Sequence, residues 1–224
     1  GIAAIAAAGG AFAYAASTGQ LSPKGNEKGL ATVAGTSSLS RQRGAFADLM
    51  MNARPHGMGG AFVGLSDDAN ALAYNPAGLV RLQTRTITAG YMHFRIDDGS
   101  FPYSYAAYCG PVTRTFAHGV AVIASPTSYG SSETQVIIGA AKLFDDPESN
   151  RRPFSIGLNV KLLMMSASKA TEEVYAFQEN SVEGAGFGAS FDLGTQIQLS
   201  DRITAGVLLK DIASYISYKN VSTG

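Results

Sequence analysis

The chain of 224 residues holds 17 basic and 17 acidic residues, a formal net charge of zero, and only 15% of it is charged. Without a cationic face to meet phosphates it argues against a nucleic-acid binder, and its single cysteine, Cys109, excludes an internal disulfide and leaves no Cys/His cluster for zinc. Sparse charge, 26 glycines and a mean hydropathy of +0.06 leave two classes, a soluble all-β domain or a β-barrel in a membrane.

Residues 1–16 (GIAAIAAAGGAFAYAA) are apolar and uncharged, and Ala13-Tyr14-Ala15 is a small-x-small triplet. This reads as the remnant of a secretory signal peptide over 1–15, cleaved after Ala15; the other reading is a buried Ala-rich helix. Residues 16–44 are rich in Ser, Gly, Thr and Lys and predict a flexible mature N-terminus, because they bury too little apolar surface to offset ordering entropy.

Residues 45–82 form a distinct block. Ala45–Ala53 predicts a short helix with Phe46, Leu49 and Met50 on one face, stopped by Pro55. His56–Gly60 predicts a flexible, backbone-exposed turn passing close to its surroundings, where only glycine fits. Ser66-Asp67-Asp68 is a helix N-cap run for Ala69–Tyr74. Asn75-Pro76 ends that helix and opens a further turn at Ala77-Gly78-Leu79.

From Thr86 the hydrophobic period becomes two. In Gly184–Leu199 one parity is Ala185, Phe187, Ala189, Phe191, Leu193, Thr195, Ile197 and Leu199, while the other is Gly, Ser, Asp and Gln. A helix would scatter these apolar residues, whereas a strand gathers them on one face. Phe154–Met165 sets Ile156, Leu158, Val160, Leu162 and Met164 against Ser155, Gly157, Asn159 and Lys161, and 203–210 alternates likewise. Weaker strands are predicted at 86–96, 103–112, 118–125 and 134–144, and Tyr215–Val221 begins another, giving about seven or eight strands. Asp97-Asp98-Gly99 and Asp145-Asp146-Pro147 predict turns between them.

Strand length favours the membrane reading. Strands in globular sheets average about 5–6 residues, and a tilted strand crosses hydrocarbon in about 9–11. Ser200-Asp201-Arg202 is a tight turn and Ser166–Val182 a long polar loop, the short-turn, long-loop asymmetry of outer-membrane barrels. The polar parity, small and hydrophilic, suits a wet or plugged lumen. Tyr91, Tyr103, Tyr105, Tyr108, Tyr129 and Tyr215 lie near strand ends, where an aromatic girdle is expected.

The stretch Phe46–Leu79 reads FADLMMNARPHGMGGAFVGLSDDANALAYNPAGL. It resembles the N-terminal signature of the PorV/PorQ group of outer-membrane proteins, distant relatives of the FadL-type fatty-acid channels. The matching residues are Ala53, Arg54, Gly57, Met58, Gly59, Gly60, Ala61, Phe62, Asp67, Asp68, Ala69, Asn70, Ala71, Asn75, Pro76, Ala77, Gly78 and Leu79. Asn52 replaces the signature's glycine, and Pro55-His56 precede the Gly-Met-Gly-Gly turn. Ile203–Ile212 is similar to a recurrent strand of the group. The resemblance implies an all-β protein, an antiparallel transmembrane β-barrel of about fourteen strands. Residues 45–82 would be a small N-terminal plug and 83–224 the first half of the wall, a fragment open at both ends. It also implies the bacterial outer membrane as location, lipid as a partner, and secretion-machinery subunits, secreted cargo or a hydrophobic solute as others.

The candidate plug or gate residues are Gly57, Met58, Gly59, Gly60, Phe62, Asp67, Asp68, Asn70, Asn75, Pro76, Ala77 and Gly78. The Gly-Met-Gly-Gly turn follows no strand of a βαβ unit, so it predicts no phosphate cradle. Asp67-Asp68 with Asn70 and Asn75 could hold a cation, but the N-cap reading is preferred. His56, His93 and His118 are dispersed, and no nucleophile–base pair points to an enzyme. No cofactor and no metal is expected. Cys109 reads as a small apolar filler in a strand. Three functions stay open: a secretion-associated barrel, a FadL-like channel for hydrophobic solutes, and a secreted soluble β-sandwich.

Overall fold

The computed structural model describes residues 52–96, 99–126, 131–145, 152–167, 184–200 and 202–220. The expected signal-peptide remnant, the stretch 16–44, residues 45–51 of the helix expected over Ala45–Ala53, Asp97-Asp98 and Asp146-Pro147 of the expected turns, Tyr129, Asp201 and most of the 166–182 loop lie outside the described residues.

Side-chain alternation organises the wall. The strands are β1 (Thr86–Ile96), β2 (Gly99–Pro111), β3 (Phe116–Pro126), β4 (Ser131–Phe144), β5 (Phe154–Ala167), β6 (Gly184–Ser200), β7 (Ile203–Leu209) and β8 (Ser214–Asn220). Each of β1 to β6 pairs antiparallel with the next, and β8 pairs with β6. β7 and β8 therefore share one edge of β6. Leu193 faces Leu209 and Ser190 faces Ser214. Between these pairs β6 has Phe191 and Asp192, while the edge chain has Lys210, Asp211, Ile212 and Ala213. The two surplus residues form a bulge, with Asp211 at φ 53. Ile212 N–H donates to Phe191 O at 2.9 Å and carries the ladder across it. The wall thus has seven strand positions, the last interrupted.

The two faces differ sharply. Direct partners across the ladders link Ile87, Tyr108, Val120, Ile138, Val160 and Phe191 into one row. A second row is Ala89, Ala106, Val122, Val136, Leu162, Ala189 and Tyr215. All of these residues are exposed or half-buried, and neither row contains a charge. Among them Ile87 is 79% exposed and Ile138 53%. On the opposite face, Asn159, Lys161, Ser190, Asp192 and Gln196 are buried.

Residues 52–82 cover that opposite face and account for its burial. Asn52 lies against Gly90 of β1, Leu72 against Gly119 and Gly139, Pro76 against Gly157 and Gly194, and Val63 against Gly206 of β7. Tyr105 Oη donates to Ala69 O at 2.9 Å from β2. These contacts run from β1 to β7, so every part of the sheet meets the same inner segment. The sheet curls around it into a half-barrel. No helix among the described residues is long and apolar enough to cross a membrane, which says nothing of strands.

Three expectations need correction. Tyr103 and Tyr105 do not join a girdle; they point inward, 7% and 3% exposed, while Tyr91, Tyr108 and Tyr215 point outward. The concave face is not hydrophilic throughout. On β2 to β4 it presents Tyr103, Tyr105, Ala107, Cys109, Ala121, Ile123 and Ile137, which pack with Leu72 and Leu79 into an apolar core. Burying each such leucine contributes roughly 1.5–3 kcal/mol, so apolar residues of the inner segment dictate apolar partners there. Pro55 does not stop a helix. It lies inside the short helix α1 (Ala53–Gly57), within the first turn, where an amide N–H has no intrahelical acceptor to lose.

Candidate functional site: the inner segment and its seat

The inner segment runs through α1, a glycine-rich turn, the single-turn helix α2 (Ala71–Tyr74) and a 3-10 turn at Pro76–Arg81. The helix expected from Ala69 begins two residues later. Asp68 Oδ1 instead accepts from Asn70 N–H at 2.8 Å, which holds 68–70 in a turn before α2. Asp67 and Asp68 converge on Arg54, whose Nη1 lies 2.6 Å from Asp67 Oδ1 and 2.7 Å from Asp68 Oδ2. Hydrogen bonding to Asp67 and then Asp68 raises the guanidinium pKa above its already high value. Arg54 also stacks over the Phe62 ring at 5.2 Å, and Phe62, fully buried, meets Tyr74 edge-on at 5.4 Å. Asn52 Nδ2 donates to Asn70 Oδ1 beside this cluster.

Asn75 is the hub of the seat. Its Oδ1 accepts from Ala77 N–H at 3.1 Å, capping the 3-10 turn that Pro76 opens. Its Nδ2 donates to Val63 O at 2.9 Å and to Thr195 O of β6 at 3.1 Å. One fully buried amide thus joins two parts of the inner segment to the wall. Further ties run from Ser155 Oγ to Ala77 O (2.8 Å), Asn159 Nδ2 to Leu72 O (2.8 Å) and Gln196 Nε2 to Val63 O (3.0 Å). Arg81 Nη1 donates to Leu65 O at 3.1 Å.

The wall meets this hub with glycines. A Cβ added to Gly157 would run into the Pro76–Ala77 peptide, and one on Gly194 into the Asn75 amide and the Pro76 ring. Gly206 faces Val63 O and Gly64 Cα in the same way. Within the inner segment, Gly78 lies against the Ser66 backbone. These glycines permit close backbone approach.

Gly57, Met58, Gly59 and Gly60 are placed otherwise. No atom lies within 4 Å of a Cβ on Gly57 or Gly59, and Met58 is 40% exposed. The turn does not press on the wall. Gly59 and Gly60 are required by their φ values of 63 and 79 instead. The structure therefore brings Phe62 and Asn75–Gly78 into the seat, directs Asp67 and Asp68 to Arg54, and leaves 57–60 at the surface. Asn75 turns to the wall and away from the two aspartates, so the four residues weighed for a cation do not converge. His93 and His118 project outward from β1 and β3, and His56 is exposed on α1. Among the described residues no three or more His, Cys, Asp or Glu side chains gather to hold a metal. Cys109 is fully buried with Sγ 3.7 Å from Ala69 O, a filler as expected.

A charged cluster lies on the same concave face. Lys161 Nζ is 2.7 Å from Asp192 Oδ1 and 2.5 Å from Asp211 Oδ1. Ser190 Oγ donates to Asp211 Oδ1, and Asp211 N–H donates to Asp192 Oδ1 at 3.0 Å. Asn159 Nδ2 links Asp192 Oδ2 at 3.2 Å to the Leu72 carbonyl, so the cluster connects the bulge to the inner segment. Lys161 and Asp192 were legible as members of the polar parity; their pairing, and Asp211, were not.

Comparison of the chain with protein-family models, with curated proteins and with solved structures found no match.

Proposed function

We propose that this half-barrel is the lipid-facing wall of an outer-membrane β-barrel of the PorV/PorQ type, with residues 45–82 as its plug, and that it serves protein secretion or cargo handling at the outer membrane rather than catalysis. The observation that carries the membrane part is the pair of uncharged rows on the convex face, set back to back with Lys161, Asp192 and Asn159. The outward side chains from Phe154 to Met164 on β5 span about 33 Å along the strand at about 3.3 Å per residue. A tilt near 40° reduces that to about 25 Å, the height of the apolar band on such barrels.

The secretion role rests on the signature residues between Ala53 and Leu79 and on how firmly the inner segment is tied down. A segment held by Asn75, Ser155, Asn159 and Gln196 suits a sealed barrel that presents a rim to partners better than an open conduit. One observation favours the FadL-like alternative. Leu72 and Leu79 meet an apolar wall on β2 to β4, which a displaced plug would expose to a hydrophobic solute.

Fractionation tests the membrane reading: the full-length protein is expected with outer membranes and to need detergent, and recovery from the aqueous phase would overturn it in favour of a soluble β-sandwich. A pull-down from detergent extract separates the two membrane roles. Secretion-machinery subunits in the eluate support the first, and copurified lipid without them the second.

A further inference from the structure

The two ends of the sheet differ in charge. At the end where β1 begins, residues 83–86, 111–117, 141–155 and 199–204 carry six basic and four acidic residues, whereas 95–100, 125–133, 165–185 and 218–220 at the other end carry three and seven. Arg114, Lys142 and Arg152 are exposed at the first end, and none of them is paired with a carboxylate among the described residues. Asp145 is the one carboxylate among the described residues there.

The same three strand ends hold exposed phenylalanines: Phe116 on β3, Phe144 on β4 and Phe154 on β5. Phe144 and Phe154 are direct ladder partners and stack at 4.8 Å. Lys142 is the ladder partner of Phe116, and its Nζ lies 5.4 Å from the centre of the Phe144 ring. Leu143 N–H donates to Thr115 O at 2.7 Å, which sets the turn bearing Arg114 against the end of β4. Arg152 stands two residues before Phe154, the last outward apolar residue of β5. Rings at the margin of an apolar band, with unpaired cations just beyond them, match the layers of a lipid surface. The rings meet the acyl boundary, and the long cationic side chains extend to the phosphates.

We propose that this rim binds anionic phospholipid, with Phe116, Phe144 and Phe154 seated at the headgroup boundary and Arg114, Lys142 and Arg152 on the lipid phosphates. The proposal rests on the lipid-facing reading of the convex face and adds a preference for one class of headgroup at one end of it. Its basis is charge complementarity, since cations without carboxylate partners draw in lipids of net negative charge.

The test folds the full-length protein into phosphatidylcholine vesicles that contain a trace of spin-labelled phosphatidylglycerol or spin-labelled phosphatidylcholine. The fraction of each label immobilised by the protein gives the preference. Phosphatidylglycerol is expected to be favoured about threefold, less than the roughly fivefold one surface cation supplies, because much of the lipid shell lies away from this rim. In 1 M salt, where the screening length is about 3 Å, the preference should fall toward equality. The triple variant Arg114→Gln, Lys142→Gln, Arg152→Gln alters exposed side chains alone and is expected to bring the two lipids within about 1.5-fold. If it fails to fold, Arg114→Gln by itself should lower the preference by a smaller step. Failure to enter vesicles of either composition overturns the lipid-facing wall and this proposal together. Insertion with equal immobilisation of the two lipids, a preference unmoved by salt, or one unmoved by the substitutions overturns the proposal and leaves the wall standing.

Discussion

Asn75 Nδ2 donates to Thr195 O at 3.1 Å across 120 residues of chain, and this bond is the shortest description of how the inner segment is anchored. The same amide caps its own 3-10 turn and holds Val63 O, so a single side chain couples local and long-range structure.

Asn75→Ala removes all three bonds within a buried site. Gln196 still serves Val63 O, but Thr195 O and Ala77 N–H lose this partner. The expected loss is about 2–4 kcal/mol, from roughly 1–3 kcal/mol per buried group left unsatisfied. Denaturant unfolding measures it, and limited proteolysis should cut within 52–82 faster than in the parent. An unchanged midpoint and cleavage pattern would remove Asn75 from the role of hub.

Gly157→Ala places a methyl into the Pro76–Ala77 peptide, and backbone cannot yield as a flexible side chain can. Destabilisation of about 1–3 kcal/mol is expected from overpacking. Gly57→Ala is the control. It has open space and a helical position, and the exchange is expected to be neutral or to stabilise by about 0.4–1 kcal/mol. The two thermal shifts should have opposite signs or at least clearly unequal size.

Lys161 stands between two carboxylates at 3% exposure. Lys161→Met leaves Asp192 and Asp211 together without their cation, at a cost of about 3–5 kcal/mol. Adding Asp192→Asn and Asp211→Asn to it should recover more than half of that loss, because no uncompensated charge then remains. A triple variant as unstable as the single one would show that packing, not charge, governs the site.

Ile138→Arg puts a charge at the centre of the outer row. Against hydrocarbon it costs about 2–4 kcal/mol near the midplane, while on a watery surface the change stays within about 0.5 kcal/mol. Folding of the full-length protein into lipid vesicles, with Lys142→Arg at the rim as reference, reads the difference. Equal yields for the two variants would contradict a lipid-facing wall.

How much was legible differs by element. Strands β5 and β6 were read with bounds within two residues of the observed ones, because their alternation is clean and both faces have one character. β2 was read short, from 103 instead of Gly99, and its inward tyrosines were assigned to the wrong face. Aromatic residues on a half-buried sheet fit either a lipid girdle or a core, and only the position of Ala69 beneath Tyr105 decides between them. The glycines of 57–60 drew attention as a cluster, yet those that shape the seat, Gly157, Gly194 and Gly206, lay inconspicuously in the polar parity of strands. A glycine needed for φ and a glycine needed for space look alike in a sequence.

The sequence by itself determined the all-β class of fold, the parity of β5 and β6 and their apolar outer faces, since these follow from local composition and a period of two. Tertiary structure alone decided what the inward residues touch. Asn75 finds Thr195, Lys161 finds Asp192 and Asp211, and the edge strand takes two surplus residues so that Asp211 can reach inward. The physical reason is that periodicity assigns a side chain to a face, whereas its partner is set by strand register and by which distant segment fills the concavity.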